Sequence, residues 1–446
     1  MARIVFIGAG SVVFTRNLVK DILTFPELDD SEIVLMDIHR ERLAKVRQLV
    51  ETLVAFQASR VRVEATEDRR TALAGADYVI FTIQVGGIAA WERDIQIPMA
   101  YGVSQCVGDT LGPGGIFRGL RHLAVLDGVV EDMVELCPQA VLLQYSNPMA
   151  ILTGQIASGP IQSVGLCHSV QGTAHLLAEY CRVPDEELTY VAAGINHQAW
   201  FIRLEHQGRD LYPRLKEQLN NPEMLGLEPV RFELMRRFGY FVTESSGHAS
   251  EYYPYFRKSP QLLDALVASF TTPHPHSAWF GYGMTGGCVI RAREREIEYE
   301  RTVQNQIAGV EPLEVERSEE YGARIIDAIE TGHTIRINGN VANTGLIPNL
   351  PSQACVEVPC LVDRAGIHPC YVGDLPAPLA ALNRQSIAMQ ELTILGHRRR
   401  DRDLIVQAMA LDPLTAAVLS LDEIARLTRE LFEAHADFLP QFAGKG

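Results

Sequence analysis

The sequence predicts an α/β protein, a doubly wound parallel sheet packed against a helix-rich α+β part. Three observations predict it. Through the first third of the chain, short apolar runs alternate with helical stretches, the pattern of a parallel sheet with crossover helices. A glycine turn, "GAG", closes the first apolar run and opens a helical one. From about residue 196 helical stretches dominate, interrupted by one extended passage rich in Pro, Asn and Gly.

The elements follow in order. "RIVFIGAG" is a strand ended by glycines, and "SVVFTRNLVKDILTF" continues with helical spacing. "EIVLMDI" is strand-like; "HRERLAKVRQLVETLVAF" alternates charged and apolar stripes, as an amphipathic helix does. "ADYVIFTI", "AVLLQYSNP" and "QSVGLCHS" are further buried strands, each ending on small or polar residues. In such sheets ligands sit at the carboxyl ends of strands. In the second part, "EPVRFELMRRFGYF", "RAREREIEYERTVQNQI" and "AAVLSLDEIARLTRELFEAH" predict helices, and "NVANTGLIPNLPSQACVEVPC" an extended passage. The expected division is residues 1–195 and 196–446. No flexible linker or repeat separates them, so the two should share a cleft.

Length and charge exclude more than they suggest. A chain of 446 residues accommodates two or three domains. Its net charge of −15 disfavours nucleic acid, whose phosphates need a basic face. No apolar run reaches the ~18 residues of a membrane span, and the start lacks the pattern of a signal peptide. The eight cysteines lie far apart, as reduced cytoplasmic thiols do.

Gly8 and Gly10 suit a dinucleotide: Gly8 permits the tight turn, and Gly10 lets backbone approach a pyrophosphate at the helix N-terminus. Ser11 opens that helix. Asp37 ends the second strand, where a carboxylate accepts from both ribose hydroxyls and repels a 2′-phosphate, favouring NAD over NADP. This is a Rossmann-like pattern, except that Val13 stands at the last glycine position. Further on, "GLCHSVQG" places Cys167 and His168 at a strand end, and "AAGINHQAW" places His197 thirty residues after the cysteine. A thiolate and an imidazole are a plausible pair for a divalent transition metal, although a lone cysteine on a strand is more often a small hydrophobe. "GYFVTESSGHASEYYPYF" gathers Glu244, His248, Glu251, Tyr252 and Tyr253, either reactive groups or an aromatic cluster. "VGDTLGPGGIFRGLR", with Asp109, Arg118 and Arg121, reads as a loop and helix start near the cofactor.

Taken together, "FIGAGS", "LMDI", "GDTLGPGGIFR", "NPMA", "GLCHSVQGT", "GINH", "GYFVTESSGHASEYYPYF", "NVANTGLIPNLP", "CVEVPCLVD" and "DPLTAAVLSLDEI" resemble glycoside hydrolase family 4, the NAD- and metal-dependent glycosidases. The resemblance spans nearly the whole chain, and Val13 matches it. The tetrad Cys167-His168-Ser169-Val170 is similar to the α-galactosidase, or melibiase, branch, whereas phosphoglycosidase branches carry Asp or Asn after the cysteine.

The resemblance implies manganese(II) held by Cys167 and His197, and NAD on Gly8, Gly10, Ser11 and Asp37. It also implies a hydrolysis unlike that of ordinary two-carboxylate glycosidases. Hydride leaves carbon 3 of the sugar for NAD⁺, which acidifies carbon 2. Tyr252 removes the carbon 2 proton, the aglycone leaves carbon 1, water adds, and the hydride returns. Asn147, in "SNPM", is expected to bond substrate hydroxyls near carbon 3. His168 is either the leaving-group acid or a substrate-binding group. The expected partner is a small α-galactoside, with neither nucleic acid nor membrane, and the expected assembly is a homodimer or homotetramer. The alternatives are an α-glucosidase or α-galacturonidase of the same family, a plain NAD-dependent dehydrogenase of lactate/malate type, and a non-catalytic NAD sensor.

Overall fold

A computed structural model describes residues 1–270 and 284–443, the side chain of Val13 excepted. Twelve strands are found among these residues: β1 (Arg3–Ile7), β2 (Glu32–Met36), β3 (Arg62–Thr66), β4 (Tyr78–Phe81), β5 (Val141–Gln144), β6 (Ser163–Gly165), β7 (Leu188–Ala193), β8 (Trp200–His206), β9 (Arg209–Asp210), β10 (Ile335–Ala342), β11 (Cys355–Asp363) and β12 (Gly366–Pro369). Nine of them form one sheet in the order β12-β11-β10-β6-β5-β4-β1-β2-β3. The run β3-β2-β1-β4-β5-β6 is parallel and has the dinucleotide-binding order, with its switch point between β1 and β4.

Side-chain alternation fixes the sheet between two cores. On β1, Ile4 and Phe6 enter one apolar cluster while Val5 and Ile7 enter the other, all 2% exposed or less. On β4, Tyr78 and Ile80 face the first cluster and Val79 and Phe81 the second. Burial on both faces explains why these strands read as continuous apolar runs. Each fully buried aliphatic or aromatic side chain contributes about 1.5–3 kcal/mol. β3 was not predicted because it is an edge strand of sequence RVEAT, half in solvent and without an apolar run.

The second part departs from expectation in its sheet pairing and in one helix. The passage 340–360, read as extended, contains the end of β10, a turn and the start of β11, an antiparallel hairpin. That hairpin does not build a sheet of its own: β10 pairs antiparallel with β6 and extends the first sheet. The smaller sheet is β7-β8-β9, antiparallel, and it straddles residue 195. Helices supply the rest, including Pro229–Phe238, Gly287–Ile307 and Ala377–Arg399. The stretch read as one helix over 416–435 is two, Pro413–Val418 and Leu421–Ala434. Ser420 breaks it by forming a capping box with Glu423, a motif that stabilises the new N-terminus by about 1 kcal/mol. No helix among the described residues is long and apolar enough to cross a membrane.

Candidate active site

The glycine turn lies at the carboxyl end of β1. Gly8 has φ +89°, a conformation that glycine adopts without strain. A Cβ on Gly10 would lie 2.6 Å from Asp37 Oδ2, so only glycine fits against that carboxylate. The Gly10 N–H donates to Asp37 Oδ2 at 2.8 Å, and the His39 N–H donates to Oδ1 at 2.8 Å. Asp37, 8% exposed, therefore holds the turn in shape, and each oxygen keeps a lone pair for a ribose hydroxyl. Ser11 caps the helix Val12–Ile22 by position, but its hydroxyl makes no capping bond. The free N–H groups of that helix end suit a phosphate. The cradle fits a dinucleotide.

The second constellation gathers at the carboxyl ends of β5 and β6. Asn147 follows β5 and Cys167 follows β6 by two residues. His197 comes from the loop between β7 and β8, with its backbone at φ +63°, which costs a non-glycine residue about 1–3 kcal/mol. Its Nε2 lies 3.4 Å from Cys167 Sγ and 3.2 Å from Glu244 Oε2. On the opposite edge of the ring, Nδ1 lies 3.0 Å from Thr110 Oγ1 and 3.1 Å from the Tyr252 hydroxyl. The structure thus brings Cys167, His197 and Tyr252 together. Tyr253, the neighbour in sequence, points away: its ring packs by Trp200 in the second core.

Glu244 and His248, noted in the sequence without a role, belong to this site. His248 Nδ1 sits 3.0 Å from Glu244 Oε1, and its Nε2 sits 3.6 Å from Asp109 Oδ1. Asn147 Nδ2 donates to Asp109 Oδ2 at 3.1 Å, and Arg118 Nε donates to the Asn147 carbonyl at 3.1 Å. The loop carrying Asp109 is held by Glu251, whose carboxylate accepts from the N–H groups of Val107 and Gly108. Arg121 belongs elsewhere, in a buried pair with Asp94 at 2.6 Å. His168 is mostly exposed and faces Glu320, its Nδ1 3.6 Å from Oε1.

The electrostatics fit a cation. Burial works against the charged forms of Glu244 and Asp109, but neighbouring histidines, with Arg118 at Asp109, outweigh it and hold both carboxyls below their ordinary range. Burial pushes the Cys167 thiol up and the His197 imidazole down, so neither is charged at neutral pH without a cation. Burial, then the carboxylates of Glu244, Asp109 and Glu251, push the Tyr252 phenol well above its ordinary value. A phenol so placed becomes a base only when positive charge is added beside it. Among the described residues, ligand atoms of His197, Glu244 and His248 lie within 4.8 Å of one another. Thiolate, imidazole and carboxylate together form a donor set for a divalent transition metal.

Comparison with known proteins bears on this geometry. Residues 3–183 match the model "Family 4 glycosyl hydrolase", and residues 192–415 match "Family 4 glycosyl hydrolase C-terminal domain". The chain belongs to glycoside hydrolase family 4. It is 42% identical to an α-galactosidase of Bacillus subtilis over 99% of this chain and 100% of that one. It is 39% identical to an α-galactosidase of Rhizobium meliloti over 99% of this chain and 90% of that one. A 6-phospho-β-glucosidase from Thermotoga maritima, solved with manganese, NAD⁺ and glucose-6-phosphate, superposes with a TM-score of 0.79 at 23% identity, covering 98% of this chain and 99% of that one.

Proposed function

We propose that this chain is an NAD- and manganese-dependent α-galactosidase that hydrolyses terminal, melibiose-like α-galactosides. The convergence of Cys167, His197 and Tyr252 at one strand end carries the reading. The tetrad 167–170 and the α-galactosidases at 42% and 39% identity support the sugar. In this reading residues 1–195 hold the dinucleotide, on Gly8, Gly10, Ser11 and Asp37, and residues 196–446 complete the sugar site. The enzyme works in the cytoplasm as a homodimer or homotetramer.

Cys167 and His197 would hold the metal, with Glu244 Oε2 beside the same imidazole nitrogen. When bound, NAD⁺ supplies a hydride acceptor and the cation supplies Lewis-acid polarisation of the sugar oxygens at carbons 2 and 3. The chain's own groups do the rest. Asn147, whose Nδ2 is tied to Asp109, presents Oδ1 to the carbon 3 hydroxyl. Tyr252 Oη takes the carbon 2 proton. His197 Nδ1 lies 3.1 Å from Tyr252 Oη, and in the tautomer that carries its proton on Nδ1 it would donate to Tyr252 and stabilise the phenolate form. The buried walls exclude bulk water while these charges develop.

The test is a panel of nitrophenyl α-galactoside, α-glucoside and α-galacturonide. The α-galactoside should be cleaved fastest, only with NAD⁺ and Mn²⁺ present, and without net NADH. Faster cleavage of another sugar would move the specificity. Stoichiometric NADH without cleavage would establish the dehydrogenase reading instead.

His168 is assigned as the leaving-group acid. The adjacent Glu320 carboxylate pushes its imidazole up, towards the protonated form that donates. His168→Ala should leave a nitrophenyl galactoside turning over at an unchanged rate, while melibiose slows by about 10²-fold or more. Equal losses on both substrates would make His168 a binding group.

A further inference from the structure

We propose that Asn340 is a positioning residue for the metal ligands: its side-chain amide ties the strand end carrying Cys167 to the carboxyl of Glu357, behind the loop carrying His197. The inference rests on Cys167 and His197 being the metal pair. Asn340 lies on β10 opposite Gly165 of β6 and opposite Glu357 of β11, at the seam where the hairpin joins the parallel sheet. Its Nδ2 donates to the Gly165 carbonyl at 3.3 Å and to Glu357 Oε1 at 3.2 Å. The Glu357 backbone in turn exchanges two hydrogen bonds with Gly194, 2.9 Å and 3.1 Å long. Gly165 is two residues before Cys167, and Gly194 is three before His197. One amide therefore closes a path from the first ligand to the second, and the gap it spans ends in the 3.4 Å approach of Sγ to Nε2.

These two groups are polar residues at a core register of the sheet. Asn340 and Glu357 are both 0% exposed, and the β11 neighbours Val356 and Val358 are apolar core residues. Burying a carboxyl there is costly: burial pushes Glu357 up from its ordinary value, against the hydrogen bonds that Asn340 and Asn196 offer it. Replacing a buried polar pair with well-packed apolar side chains of similar volume is often neutral or stabilising. What the polar pair adds is a fixed spacing, and it supports a loop whose His197 sits in the left-handed region. Groups that orient metal ligands in this way typically change metal affinity by about 10–100-fold when removed.

The experiment compares full-length wild type with Asn340→Ala, Glu357→Ala, Glu357→Gln and Cys167→Ser. Mn²⁺ affinity is measured by titration with electron paramagnetic resonance of free Mn²⁺, and Co²⁺ is added to read the thiolate-to-cobalt charge-transfer band. NAD⁺ affinity reports the integrity of the fold. Asn340→Ala and Glu357→Ala should each raise the Mn²⁺ Kd at least tenfold and weaken the band, with NAD⁺ affinity within twofold of wild type. Activity should recover at high Mn²⁺. Glu357→Gln keeps the acceptor oxygen and should stay within threefold of wild type. The double alanine variant should be no weaker than either single one, because both break the same path. Should Asn340→Ala fail to fold, Glu357→Ala makes the same test from the other end. Mn²⁺ affinities unchanged in both alanine variants, with Cys167→Ser impaired, would overturn the positioning role alone. Equal metal uptake by wild type and Cys167→Ser would overturn the metal pair and this inference with it.

Discussion

Replacing Tyr252 with phenylalanine should lower kcat by about 10²–10⁴-fold, the usual share of a general base, and should abolish exchange of the carbon 2 proton with solvent deuterium. Replacing Tyr253 with phenylalanine should do neither. The two residues are adjacent, but the helix Ser246–Tyr252 ends between them and sends their rings in different directions. Tyr252 reaches His197 Nδ1 at 3.1 Å; Tyr253 joins Trp200 in the second core. Removing the Tyr252 oxygen leaves the ring's packing intact, so thermal stability should fall by little more than the loss of one hydrogen bond, about 1 kcal/mol. KM should change little, because the group acts on a proton that moves only after binding. Carbon 2 exchange surviving in Tyr252→Phe and vanishing in Tyr253→Phe would reverse the assignment.

Removing the sulfur should cost as much. Cys167→Ser keeps the size of the side chain but replaces a metal-binding thiolate with a hydroxyl that stays protonated. The loss of Lewis-acid stabilisation is several kcal/mol, which lowers kcat/KM on the order of 10³-fold at physiological Mn²⁺. A chelator added to wild type should give the same loss, reversed by Mn²⁺. NAD⁺ affinity should survive in both cases. The cradle of Gly8, Gly10 and Asp37 lies at the end of β1, and its hydrogen bonds involve none of the metal-site residues. Activity that persists in Cys167→Ser under chelation would leave the metal without a role.

The legibility of this chain in its sequence depended on how local each feature is. The inner parallel strands were plain because burial on both faces makes them continuous apolar runs, and the glycine turn was plain because Gly8 and Gly10 stand together between a strand and a helix in the sequence. The edge strand β3 was hidden by its charges. The pairing of β10 with β6 was hidden because it joins residues 175 apart, and no periodicity reports a partner so distant. In the site, Cys167 and His197 were individually ambiguous. Their 3.4 Å approach is a property of the sheet order. Glu244 and His248 were visible only as members of a polar cluster. Nothing in their spacing reported His197 beside them, because it comes from a loop 47 residues before Glu244. Glu357 stands in a strand rich in valine and Asn340 in one that carries a second buried asparagine, Asn338; a polar residue at a core register is the clue that marks them.

The account depends most on a temporary ketone beside a breakable carbon 2 bond. The direct measurement is hydrolysis of nitrophenyl α-galactoside in D₂O, with the released galactose analysed for deuterium at carbon 2 and the reaction run with and without NAD⁺. The account predicts deuterium at carbon 2 of the product, no net NADH, and no cleavage without the dinucleotide. Cleavage at full rate without NAD⁺, giving galactose that keeps its original carbon 2 hydrogen, would contradict it.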